Sequence, residues 1–207
     1  AGLLENTPRL DYSGGATCPS LLLEPSRTNL LAYSEYFGEW STLGGTPTRT
    51  LNAATSPEGI DNAYALSNTS GSASRIRNTN LVATSGDKFV ISMFAKENAG
   101  STFEIRHQTA SNISVVFDLS DQSYTGGGAW VDDVDFVDYG NGWYRCLIYI
   151  TAAATATGTI EIELANNASI FAYGFMCEAG SYPTSYIPNH SGGTITRGGD
   201  NCFTNNN

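Results

Sequence analysis

Basic side chains are scarce in this sequence. Ten Lys and Arg stand against twenty Asp and Glu in 207 residues, a formal net charge of −10. Nucleic-acid binding rests on neutralising phosphates, and so thin a supply of cations leaves no electrostatic footprint for it. An anionic membrane surface would repel the chain for the same reason. Long apolar runs are missing too, and none approaches the roughly 20 residues that span a bilayer. No charged segment precedes an apolar stretch at the start, so no signal peptide is expected. The chain opens AGLLENTPRLDY without Met, as a processed chain or an excised piece would. Histidine occurs twice and cysteine four times, with no C-x-x-C, which makes a zinc site a poor reading. Helical periodicity is also lacking: no dozen residues place apolar side chains at i, i+3, i+4 and i+7 between caps.

Hydrophobic content is 41% and charged content only 14%, with Gly, Ser, Thr and Asn filling the difference. The apolar share suffices for a full core, and the charge deficit suits an all-β domain. Alternating runs recur between Gly/Asn/Ser/Asp turns. KFVISMFAKE (88–97) is apolar in both phases. STFEIRHQT (101–109) sets Phe103, Ile105 and His107 against Glu104, Arg106 and Gln108. ISVVFDLS (113–120), GWYRCLIYIT (142–151), GTIEIELAN (158–166) and SIFAYGFMCEAG (169–180) continue the series. In the second-last run Ile160, Ile162 and Leu164 face inward, and Glu161 and Glu163 outward. Closely spaced strands of this kind predict an antiparallel β-sandwich. No linker divides the chain. One domain over 1–207 is expected, with a flank at 1–28, a core at 29–187 and a tail at 188–207. Cys146 and Cys177 lie in strand-like apolar runs and are expected as buried free thiols. Cys18 and Cys202 lie in Gly-rich turns near the two ends and would bridge if those ends meet.

Catalytic constellations are hard to find. Glu161 and Glu163 form the one tidy carboxylate pair, on one strand face about 7 Å apart. A glycosidase needs two carboxylates at about 5–10 Å, yet a solvated polar face is the plainer reading. Asp132, Asp133, Asp135 and Asp138 lack the spacing of a calcium loop and read as a solvated loop. His107 shares the core phase of its strand, His190 sits in a loop, and no G-x-S-x-G is present. Gly126–Gly128 and GGTITRGGD (192–200) read as turns, since no helix follows to hold a phosphate. Glu24 and Arg27 read as exposed or paired rather than catalytic.

Three long motifs stand in order: PRLDYSGGATCPSLLLEPSRTNLLAYSEYF, DYGNGWYRC, and EAGSYPTSYIP followed by TITRGGDNC. NLLAYSEYFGEW resembles the first strand of jelly-roll carbohydrate-binding modules, and FVISMFAKENAGSTFEIR resembles their middle pair of strands. The whole set is similar to a module of bacteriophage tail and head fibres and of some marine bacterial proteins. The resemblance implies an all-β fold: an antiparallel β-sandwich of the jelly-roll, carbohydrate-binding-module or concanavalin-like kind. Leu21–Leu23 would form an edge strand stopped by Pro25, and Asn29–Leu31 would enter the main sheet. It also implies that Cys18 and Cys202, both in its terminal motifs, lie close together. A structural calcium held by Glu35 and Glu178 is a further implication, although TyrSerGluTyrPheGly departs from the usual motif.

The function so implied is non-catalytic recognition of a host-surface or environmental polysaccharide by a virion or extracellular protein. The alternatives are a structural spacer or oligomerisation unit of a fibre, and a module or catalytic domain of a polysaccharide-degrading enzyme. Sugars offer apolar C–H faces and hydroxyls, which call for exposed rings and planar polar groups. Trp130, after the glycine turn, is the ring expected to be exposed, ahead of Tyr124 and Tyr139. Trp40 and Trp143 are expected in the core. Lys96, Glu104, Arg106, Gln108, Arg145, Glu161 and Glu163 take the outward phase of their strands. They would build one polar face if those strands are neighbours.

Overall fold

The computed structural model describes residues 9–11, 20–107 and 113–200. Cys18, Cys202 and Gln108 lie outside the described residues. Chain order begins β1 (Arg9–Asp11), β2 (Ser20–Leu22), β3 (Arg27–Asn29), β4 (Ser41–Leu43), β5 (Thr48–Thr55), β6 (Asp61–Ser67), β7 (Ser74–Ala83) and β8 (Lys88–Glu97). It continues β9 (Thr102–His107), β10 (Ile113–Asp118), β11 (Ser123–Gly127), β12 (Val131–Asp138), β13 (Trp143–Thr151), β14 (Ala156–Leu164), β15 (Ser169–Ala179) and β16 (Ile195–Arg197). One turn of 3₁₀ helix at Phe37–Glu39 is the only helix among the described residues.

Two six-stranded antiparallel sheets form the sandwich. Sheet I runs β11-β10-β9-β14-β7-β4 and sheet II runs β12-β13-β8-β15-β6-β5. The chain crosses between layers at β7–β8–β9 and again at β13–β14–β15, which makes the domain a jelly roll. The alternation read from sequence holds strand by strand. Phe103, Ile105, Val115, Phe117, Ile160 and Ile162 from sheet I meet Phe89, Ile91, Met93, Cys146 and Ile148 from sheet II in one core, all nearly inaccessible. Each such side chain stabilises the fold by about 1.5–3 kcal/mol through burial.

β4 to β7 carry no such clear signal. Thr48–Thr55 reads TRTLNAAT, mostly short or polar side chains with the lone Leu51 exposed, at the edge of sheet II. Its strand character comes from its ladder with β6, not from its own pattern. The acidic run expected as a loop is instead strand β12, an edge strand with Val134 turned into the core. Its aspartates keep that open edge charged, which discourages edge-to-edge pairing. The glycines expected to form a turn extend β11, which ends at Gly127.

The N-terminal flank also differs from expectation. β2 pairs with β1 in a separate two-stranded sheet, and β3 pairs with β16 in another. Asn29 therefore ends a small ladder rather than opening a main-sheet strand. The segment still reaches sheet II, because β6 pairs with only the first part of β15, Ser169–Ala172. Beyond that point the Leu30 N–H donates to the Cys177 carbonyl at 2.8 Å. The fully buried Asn29 joins three segments. It donates to the Ile187 carbonyl at 2.9 Å and accepts from the Leu31 and Cys177 N–H groups at 3.1 and 3.3 Å. Asn189 does the same from the other side, donating to the Leu31 carbonyl at 2.8 Å and to the Gly193 carbonyl.

Sheet II is thus covered on its outer face by the segment around 182–190. Gly174, at a bulge in β15, takes φ +58°, and a Cβ there would stand 3.0 Å from Tyr186 and 3.1 Å from Phe94. Only glycine fits both that backbone and that contact. Trp143, Phe94, Tyr173 and Ala63 form a second apolar cluster under this cover.

Candidate functional site

The expected ligand residues divide between the two sheets. Glu104, Arg106, Glu161 and Glu163 lie on β9 and β14, which are neighbours in sheet I. Lys96 and Arg145 lie on β8 and β13 in sheet II, so no single face holds all six. Sheet I presents two cross-strand rows on its outer face. One runs Ser114, Arg106, Glu161, Arg77, Ser41, and the other runs Val116, Glu104, Glu163, Arg75, Leu43. Arg75 and Arg77, which sequence reasoning missed, come from β7 and complete the charges. Their alternation in RIRN was visible, but no neighbouring strand was assigned to set it against.

Together the two rows are neutral, with three arginines against three glutamates. Arg77 Nε donates to Glu161 Oε1 at 2.8 Å, and Arg106 Nη1 to Glu163 Oε2 at 2.6 Å. Arg75 Nε donates to the same Glu163 oxygen. The hydrogen bond to Glu163, followed by its charge, raises the Arg75 guanidinium further above its usual range. The Glu161 side chain is only 1% exposed, so it cannot meet a polymer and does not form an open carboxylate pair with Glu163. Single arginine N–H groups hold Glu161 Oε1 and Glu163 Oε2, and Arg75 Nε stands 3.7 Å from Glu161 Oε2, so both carboxylates face cations rather than a substrate.

Three further expectations are corrected by burial. Trp130 is 1% exposed and offers no platform for a sugar. The chain crosses from β11 to β12 at the end of the sandwich, and the indole turns inward to plug it, with its ring centroid 5.1 Å from that of His107. Arg145 is 5% exposed. Its Nη1 donates to the Thr184 carbonyl at 2.7 Å and its Nη2 to Ser92 Oγ at 2.9 Å, beneath the covering segment. Glu178 is fully buried and accepts from the Thr184 N–H at 2.8 Å and hydroxyl at 2.7 Å, with Arg27 Nε 3.6 Å away. Both its oxygens face donors and a cation, which does not fit a metal ligand, and Glu35 has a separate set of partners. Lys96 is half-buried, Tyr124 and Tyr139 are half-exposed, and Trp40 and Trp143 are in the core as expected. Glu24 pairs with Arg197 Nη2 at 3.1 Å.

A cleft that sequence reasoning did not foresee lies beside sheet II. It has a volume of about 750 Å³ and is walled by the Glu35–Tyr36 turn, the β5–β6 hairpin and the segment from Ser185 to Arg197. These stretches are far apart in sequence: Asn29 and Asn189 tie the two flanks together, and the ladder of β6 with β15 places the hairpin beside them. Leu51, Ile60 and Ile195 give it exposed apolar walls. Tyr36 is 38% exposed, and its ring meets that of His190 edge-on at 5.3 Å.

Glu35 forms the polar centre. Its Oε1 accepts from the Tyr173 hydroxyl at 3.1 Å and the Tyr186 hydroxyl at 3.2 Å, and its Oε2 lies 3.0 Å from His190 Nε2. Glu58 reaches the same Tyr173 hydroxyl. Burial, then the charges of Glu35 and Glu58, raise the Tyr173 phenol far above its ordinary range, and burial with Glu35 does the same to Tyr186. Both phenols therefore remain protonated donors, which fixes the Glu35 carboxylate in place. Asn62 Oδ1, also at the cleft, is a buried acceptor with no hydrogen-bond partner among the described residues.

No protein-family model matches the chain, and no curated protein matches it. Among solved structures, the enzymatically active domain of tailspike protein 4 from bacteriophage CBA120 is similar over 73% of this chain, at 15% identity and TM-score 0.48. The match spans 21% of that tailspike domain, about a fifth of its length. The C-terminal CBM6 of LamC, a marine laminarinase from Zobellia galactanivorans, is similar over 75% of this chain and 99% of its own, at 7% identity and TM-score 0.41. The CBM22-1–GH10 modules of the Clostridium thermocellum xylanase 10B, complexed with xylohexaose, match 80% of this chain and 30% of theirs, at 15% identity and TM-score 0.45. The class itself, an all-β antiparallel jelly-roll sandwich, follows from the sheet order given above.

Proposed function

We propose that this chain is a non-catalytic glycan-binding module of a virion fibre or other extracellular protein, and that it takes its ligand in the cleft beside sheet II. One observation carries the reading: the cleft combines rings, apolar walls and fixed acceptors in one open concavity. About 750 Å³ is within the usual range for a small-ligand site. Tyr36 supplies an aromatic surface for a sugar C–H face. Glu35, Glu58, Asn52 and Asn62 supply planar polar groups for hydroxyls. A preformed arrangement of this kind needs little ordering on binding. The virion or fibre context draws its support from the three ordered sequence motifs.

Binding without catalysis fits the state of Glu35, whose carboxylate is engaged by two phenols and approached by an imidazole. The test is electrophoresis through native gels containing soluble polysaccharides of different charge and linkage. Retardation by at least one polymer, lost in Tyr36→Ala and kept in Arg106→Ala, is the expected result. Retardation lost in Arg106→Ala alone would move the site to the charged face of sheet I. No retardation by any polymer in a folded protein would overturn glycan binding and favour a structural spacer.

A further inference from the structure

We infer that the cleft selects glycans carrying a free amine, with the ammonium seated on Glu35 against the ring of Tyr36. This rests on the glycan-binding reading above and specifies its ligand class. The polar groups at the cleft are mainly acceptors. Glu35 and Glu58 bring two carboxylates, and Asn62 Oδ1 is a buried acceptor without a partner among the described residues. Of the basic groups at the cleft, Arg197 is committed elsewhere, donating to the Ser185 carbonyl at 2.9 Å and lying 3.1 Å from Glu24. The other is His190, whose side chain is 57% exposed.

His190 shows where a nitrogen donor belongs. Its Nε2 stands 3.0 Å from Glu35 Oε2, while its ring meets the Tyr36 ring edge-on. An ammonium at that position gains a charge-assisted hydrogen bond to Glu35 beside the Tyr36 ring. The imidazole reaches its place from an exposed loop and can swing away to admit it. Glu35 cannot follow, because Tyr173 and Tyr186 hold its other oxygen. The site therefore keeps its charge in a fixed position when the ligand arrives. An N-acetylated sugar lacks the charge, and a sulfated or carboxylated one meets like charge at Glu35 and Glu58 and across a chain of net charge −10.

Calorimetric titration of the intact protein with three hexamers tests the inference: glucosamine, N-acetylglucosamine and glucose, at a pH where the amine is protonated. The expected result is a Kd for the glucosamine hexamer at least tenfold lower than for either neutral hexamer. Glu35→Gln should abolish that preference, and Glu58→Gln, at an exposed position, should reduce it. The paired change Glu97→Gln and Asp121→Asn removes two charges away from the cleft, as many as the two cleft variants together, and should leave the preference intact. Equal or tighter binding of a neutral hexamer overturns the inference and leaves glycan binding standing. A preference that falls equally in the remote variant overturns it too, as nonspecific charge attraction. A lysine-rich peptide that competes better than the hexamer would reassign the site to a basic protein partner. No binding of any hexamer would overturn the amine reading, and glycan binding would fall with it only if no polysaccharide retards the protein in the native gels.

Discussion

Replacing Asn29 with alanine should destabilise the fold more than an ordinary surface asparagine change. The side chain is fully buried and bonds two N–H groups and a carbonyl drawn from three segments. Alanine strands the Leu31 and Cys177 N–H groups and the Ile187 carbonyl. Each buried polar group left unpaired costs about 1–3 kcal/mol, and partial relaxation puts the sum at roughly 4 kcal/mol. With a urea slope of about 2.5 kcal/mol per molar, the unfolding midpoint should fall by about 1.5 M. Asn29→Asp sharpens the test. It keeps the acceptor for both N–H groups but turns a carboxylate oxygen toward the Ile187 carbonyl. At pH 7 it should be at least as damaging as alanine. Its folded-state pKa must lie above the unfolded value of about 3.9, so the penalty should shrink as the pH falls through 5 towards 4. A midpoint shift below about 0.4 M for alanine, roughly 1 kcal/mol, would refute the role assigned to Asn29. Because the same bonds hold one wall of the cleft, Asn29→Ala should also weaken ligand binding in protein that is still folded.

Trp130→Ala should cost about 3–5 kcal/mol of stability, read by urea denaturation, with glycan affinity unchanged in the folded fraction. Gly174→Ala places a Cβ against Tyr186 and Phe94 at positive φ and should lower the melting temperature while loosening the cover of sheet II, read as faster amide exchange around 182–188. Cys146 and Cys177 are inaccessible, and burial raises both thiols above the ordinary value of about 9. In native protein at pH 8 the peptides carrying them should stay unalkylated by mass spectrometry. The unfolded chain loses those protons first, so stability should fall as pH rises past about 9, by up to about 1.4 kcal/mol per unit for each thiol.

How much of this was legible beforehand varies along the chain. Phe103, Ile105, Val115, Phe117, Ile160 and Ile162 announced their phase by strict alternation, and every one of them is in the core. A period of two fixes which side of a strand is apolar, whatever the fold around it. It cannot say whether the other side is open. Glu161 and Arg145 both read as outward, and both are, yet one lies beneath the guanidinium groups of Arg75 and Arg77 and the other under the segment around Thr184. The edge strand β5 escaped notice because its residues show no apolar alternation, and its ladder with β6 makes the strand.

The sequence by itself determined the all-β class, the inward residues of the middle strands and the buried state of Cys146 and Cys177. These follow from local alternation and side-chain chemistry, which every residue carries with it. Tertiary structure alone decided that Trp130 turns inward, that Arg75 and Arg77 meet Glu161 and Glu163, and that Glu35, Ile60 and His190 share one cleft. Those outcomes depend on which distant segments meet, and the meeting is made by backbone ladders and by the buried amides of Asn29 and Asn189. Hydrogen bonds of that kind leave no periodic trace in a sequence.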